Sequence, residues 1–198
     1  MSVVEYIVLS FALGMDVFTV MQQSAQGREL RLSKGLLGSF IASLVVGCLF
    51  CAGMAIGGVI RFSHGTPDPN AVLTNELLSN TDNLVYLGLM IFVALRFVFT
   101  ARRRKKQNLS YDVTQIKNYV LIALMLGVNA LIVGLAVGFR YGSLRCLFGG
   151  IIVAVMYTVL SFVGIMFGRQ RVEIHARRWL LIASLVLLAF ALKGVPWK

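Results

Sequence analysis

Six apolar stretches, at about residues 3–22, 36–60, 84–100, 119–139, 144–167 and 178–194, take up most of this 198-residue chain. Each is near or above the length of roughly 20 residues that a helix needs to cross a bilayer, and the intervals between them are polar. The third and the sixth are the shortest. With 58% hydrophobic and 14% charged residues, and a mean hydropathy of +0.82, the chain is not a soluble domain. Nothing is left over to form one, so residues 1–198 are read as a single integral membrane domain of the all-α class.

A net charge of +11 suggests a nucleic-acid partner, but the placement of the charge argues against one. Arg28, Arg31 and Lys34 fall between segments one and two. Arg102, Arg103, Arg104, Lys105, Lys106 and Lys117 fall between three and four. Arg169, Arg171, Arg177 and Arg178 fall between five and six, while the opposite side holds only Arg61, Arg140, Arg145, Lys193 and Lys198. The positive-inside rule then puts the three basic loops in the cytoplasm and both termini outside, in a multi-pass plasma (inner) membrane protein. The basic run at 102–106 is a topology anchor that meets anionic headgroups, so the bilayer is the partner and nucleic acid is not. Residues 1–20 are not expected to be a signal peptide, because they lack a basic start and Asp16 interrupts the apolar core.

Asp16 is the one acid deep inside an apolar stretch. At 1.5 Å per helical residue it lies ~20 Å from Val3, beyond the middle of a ~30 Å hydrocarbon slab. A carboxylate there costs at least a few kcal/mol unless partners or water surround it, which makes it a functional-site residue by default. The competing reading is a tilted helix with Asp16 reaching for an interface, and Asp has little reach for that.

The two halves of the chain resemble each other. Leu13, Gly14 and Val20 recur as Leu126, Gly127 and Val133 at an offset of 113, which sets Asp16 opposite Asn129. Gly38, Ile41, Leu49, Gly53 and Gly57 recur as Gly149, Ile152, Leu160, Gly164 and Gly168 at an offset of 111, and Ala94-Leu95-Arg96 recurs as Ala191-Leu192-Lys193. Repeat one covers about 1–100, a cytoplasmic linker about 101–118, and repeat two about 119–198. Each has three segments, so the second is inserted upside down relative to the first. Two inverted three-helix repeats, six transmembrane helices in all, are a transporter architecture with the substrate near the midplane. The Gly-x-x-x-Gly pairs at 53/57, 134/138 and 164/168 allow backbones to approach, within one chain or at a homo-oligomer face.

At these residues the chain resembles the MntP family of bacterial manganese efflux pumps, related to LysE-type exporters. The family's first-segment Met-Asp-x-Phe motif is matched by Met15-Asp16-Val17-Phe18. Its fourth-segment Leu-Asp-Ala-x-x-Val-Gly motif is matched by Val128-Asn129-Ala130-Leu131-Ile132-Val133-Gly134, with asparagine at the acid. Its fifth-segment pattern is matched by Ser161, Gly164, Gly168 and Arg169, and its third-segment arginine by Arg96. The family's segment-two glutamate has no counterpart among Leu44, Val45 and Val46, and Gln22-Gln23-Ser24 replaces its lysine after the first motif. The resemblance implies manganese efflux across the membrane, metal homeostasis, and a transporter rather than an enzyme. Export of another small solute, or a non-transporting scaffold or subunit role, is the alternative that the missing acids leave open.

Manganese(II) is a hard cation served by oxygen ligands. Asp16 is expected as the main cation-binding group, with Asn129 supplying an amide oxygen and Thr19 a hydroxyl. Met15 is a softer neighbour, and core packing is the competing role for it and for Met125. Ser10 and Ser43 are further hydroxyls, although helical Ser and Thr usually bond their own backbone. Cys48-x-x-Cys51 puts two thiols on one helix face, as metal ligands or as small hydrophobes, while His64 and His175 fall on opposite sides. Arg96 is either a snorkelling cation or a charge partner for empty Asp16. No resident cofactor is expected. Burial disfavours the charged carboxylate, so H+ coupling of release is expected in an alternating-access cycle. The 61–83 interval is expected to be a loop with a short helix near 71–79.

Overall fold

The computed structural model describes residues 1–26, 32–63, 72–103, 115–142, 146–170 and 176–193. Six helices follow in order: α1 Val3–Ala25, α2 Leu32–Ser63, α3 Val72–Arg103, α4 Ile116–Tyr141, α5 Cys146–Arg169 and α6 Ala176–Lys193. Five of them, α1 to α5, are long and apolar enough to cross a membrane. α6 is the exception, because its 18 residues include Arg177, Arg178 and Lys193.

Local chemistry accounts for where the helices stop and start. Ser2 caps α1: its hydroxyl accepts from the Glu5 N–H, and the Glu5 carboxylate accepts from the Ser2 N–H in return. That reciprocal arrangement satisfies two N–H groups that a helix start leaves orphaned. α4 stops at Gly142, whose φ of 75° is cheap only for glycine and whose N–H bonds the Gly138 carbonyl at 2.9 Å.

The expected loop at 61–83 is corrected. α2 continues to Ser63 and α3 begins at Val72, so the short helix expected near 71–79 is the opening of α3 itself. Both helices have 32 residues. At 1.5 Å per residue each spans ~48 Å, well beyond the hydrocarbon slab, so their ends project or tilt. The calls on His64, Pro67, Asp68, Pro69 and His175, and on the basic residues at 28, 31, 104–106, 145, 171 and 198, lie outside the described residues.

The helices pair selectively. α2 packs most extensively on α4, and α1 on α5. α2 also lies against α5, α3 against α6 and α4, and α1 against α6. α1 touches α4 only briefly. With no hydrophobic drive between helices in lipid, close backbone approach carries much of this packing. In the α2–α4 seam a Cβ on Gly53 or Gly57 would run into the carbonyl oxygens of Leu131 and Leu135, and one on Gly134 or Gly138 into those of Phe50 and Met54. In the α1–α5 seam Gly164 and Gly168 of α5 seat the Phe18 and Gln22 carbonyls, whereas Gly14 of α1 meets only the Leu160 side chain.

α1 is the most enclosed span, with 67% of it buried against 33–50% for the other four. It is also where polar side chains are buried most densely, at Ser10, Asp16, Thr19, Gln22 and Ser24. The outward faces carry large apolar side chains such as Val59, Leu84, Phe92, Leu147 and Ile151, suited to lipid.

Candidate cation site

Where α1 crosses α4, Asp16 and Asn129 meet. They are 3% and 5% exposed, so neither side chain reaches the protein surface in any quantity. Asn129 Nδ2 donates to Asp16 Oδ2 at 3.4 Å, a long bond that joins positions 113 residues apart. With the amide nitrogen turned to the carboxylate, the Asn129 Oδ1 oxygen is buried without a hydrogen-bond donor. A buried acceptor left in that state costs about 1–3 kcal/mol, and a cation would satisfy it.

Other expected ligands are distributed unevenly. Thr19 is fully buried one turn along α1, and its hydroxyl donates to the Asp16 carbonyl at 2.9 Å. Its proton is therefore committed to its own helix, as is common for helical threonine. Met15 is buried in the core beside the site. Ser10 donates to the Tyr6 carbonyl at 2.6 Å, and Ser43 to the Phe40 carbonyl at 2.7 Å. Met125 points outward, 52% exposed, and does not belong to this constellation. Cys48 is exposed whereas Cys51 is half-buried with its thiol on the Cys146 carbonyl at 3.2 Å, so the two sulfurs do not share one inward face. Among the described residues no group of three His, Cys, Asp or Glu side chains could hold a metal. Arg96 is half-buried on α3, a helix that packs on α6 and α4 rather than along α1.

Sequence reasoning missed part of the surroundings. Tyr157 is buried on α5, the helix that packs most extensively on α1. Between α2 and α5, Ser161 donates to Ser39 at 2.8 Å and Thr158 to Ser43 at 2.6 Å. These hydroxyl pairs stitch the first half of the chain to the second. A carboxylate, an orphaned amide oxygen and neighbouring hydroxyls in a nearly dry core suit a hard, partly dehydrated cation.

No curated protein and no solved structure matches this chain. A family model does: MntP, described as "Putative manganese efflux pump", matches residues 39–195. The match begins inside α2, so Asp16 lies before it and Asn129 within it. It covers well over half of the 198 residues. With five helices fit to cross a membrane and that match along four-fifths of its length, this multi-pass chain belongs to the MntP manganese efflux family.

Proposed function

We propose that this protein exports manganese(II) from the cytoplasm by alternating access, with Asp16 as the main cation-binding group. Asn129 contributes its amide oxygen and Thr19 a hydroxyl oxygen, with Met15 lining the site and protonation of Asp16 assisting release. The observation that carries this reading is the buried Asp16–Asn129 pair, shared by the two halves and retaining one orphaned oxygen.

An inverted repeat of three helices underlies the cycle. It is supported by the pairing scheme, which is unchanged when α1, α2 and α3 are exchanged with α4, α5 and α6. Individual contacts support it too. A Cβ on Gly14 would meet Leu160 and one on Gly127 would meet Leu49; likewise Gly38 faces Tyr119 and Gly149 faces Tyr6. Each of these pairs maps onto its mate through the offsets of 113 and 111 in the sequence. Repeat one ends near residue 100, repeat two begins near 119, and both termini lie outside by the positive-inside rule.

Cells expressing Asp16→Asn are expected to lose manganese tolerance and to accumulate the metal. Unchanged tolerance and unchanged cellular manganese would remove Asp16 from its role. Asn129 favours a second reading, export of another small solute, because one carboxylate binds a divalent ion less strongly than two. Measuring which solutes accumulate in a deletion strain separates the two, and uptake into liposomes compared across Mn²⁺, Fe²⁺, Co²⁺ and Cd²⁺ ranks the cations.

A further inference from the structure

We infer that a string of polar contacts headed by Glu5, Lys193, Arg140, Arg61 and Asp82 is a latch that holds one end of the bundle shut, and that transport requires it to open. The inference rests on the alternating-access reading and adds to it the location of a gate. The string starts on α1, where Glu5 pairs with Lys193 of α6. The Lys193 carbonyl accepts from Arg140 Nη2 of α4 at 3.4 Å. The Arg140 carbonyl in turn accepts from Arg61 Nη1 of α2 at 2.7 Å, and Arg61 pairs with Asp82 of α3 at 3.3 Å. Five of the six helices are thereby tied at the end that carries the N-terminus.

A second layer lies beneath the string. The Arg140 guanidinium sits over the Tyr86 ring, 4.9 Å from its centre, and 5.3 Å from the centre of Tyr141. The Tyr86 hydroxyl reaches the Phe190 carbonyl at 3.3 Å. Glu5–Lys193, Arg61–Arg140, Arg140–Tyr86 and Tyr86–Phe190 all join the first half of the chain to the second. If the halves move against one another, these contacts must break together.

Two features suit the string to a latch rather than a permanent clasp. Exposed ion pairs are individually weak, so a set of them holds by number and releases without a large barrier. Arg140 Nη1 is buried without an acceptor, an unmet donor that water would satisfy once this end opened. The opposite end is different in kind. Its described helix ends carry Lys34, Arg102, Lys117, Arg169 and Arg178, all of them exposed.

The test needs no manganese. In a protein with Cys48, Cys51 and Cys146 replaced by alanine, a Ser10→Cys reporter lies buried on α1, between Asp16 and the latched end. A charged, membrane-impermeant thiol reagent is applied from either side of the membrane, with and without Arg140→Gln or Lys193→Gln. The latch predicts at least tenfold faster labelling of Ser10→Cys in both variants, from the latched side, reversed when Glu5→Lys is combined with Lys193→Glu. Equal labelling rates with and without the substitutions would overturn it. A matching reporter at Ser24→Cys, buried near the far end of α1, must not label faster. Faster labelling at both positions would mean general loosening and would equally overturn the latch. Wild-type protein that moved no manganese into liposomes would instead break the transport reading, and the labelling difference would stand on its own.

Discussion

α1 and α4 open the two halves of the chain and touch at a single crossing, yet their inventories are opposite. α1 carries the acid and a buried series of polar side chains, and meets its main neighbour through a one-sided seam in which α5 glycines seat α1 carbonyls while Gly14 of α1 faces only the Leu160 side chain. At the positions offset by 113 from Gly134 and Gly138, α1 has Met21 and Ala25. α4 carries the neutral amide, and its glycines interlock with those of α2 so that each backbone receives the other's carbonyls. The difference teaches a division of labour. The acid sits on the helix that is seated by its partner's glycines alone, and the helix with the neutral amide is clamped by glycines on both sides of its seam.

The strongest way to break that comparison is to fill the clamp. Gly134→Leu would drive a side chain into the Phe50 carbonyl, where nothing but backbone can give way. Overpacking of this kind is expected to cost about 3 kcal/mol, and thermal denaturation in detergent should fall accordingly or folded protein should be lost. A melting temperature equal to wild type would show that the α2–α4 seam is not tight. The next effect concerns the chemistry rather than the clamp. Asn129→Asp restores a second carboxylate beside Asp16, and manganese affinity measured by calorimetry should rise about tenfold or more. An unchanged affinity would place the cation away from Asn129. The smallest effect sharpens the contrast by supplying its baseline. Gly88 on α3 has no atom within 4 Å of an added Cβ, so Gly88→Ala should be neutral or stabilising by less than about 1 kcal/mol in the same melting assay.

Much of the architecture was legible because lipid imposes lengths. Six apolar runs became six helices, and the acid expected to be buried at 16 is buried, opposite the asparagine that the internal offset assigned to it. A helix was legible near 71–79, but not that it runs on without a break into the span of α3. Its sequence Val72-Leu-Thr-Asn-Glu-Leu-Leu-Ser-Asn-Thr-Asp-Asn83 lacks the apolar content of a span, and a helix that projects beyond the slab has no need of it. The outward placement of Met125 and Cys48 was hidden for another reason. In a soluble helix polar residues mark the outer face, but here both faces are apolar and the pattern loses its phase. Tyr157 and the serine–threonine pairs between α2 and α5 were missed because they depend on which helices become neighbours, which spacing within one segment does not reveal.

The brevity of the α1–α4 contact has a mechanical consequence. Two rods that touch at one point can swivel about it, and the touching atoms stay put while the tips travel. From Asn129 to the end of α4 is 12 residues, or about 18 Å, so a swivel of roughly 15° would carry that tip about 5 Å. The carboxylate and the amide would remain within reach of a common ion throughout. On the proposed function, a binding pair at that fulcrum would let the doors swing without dropping the cargo.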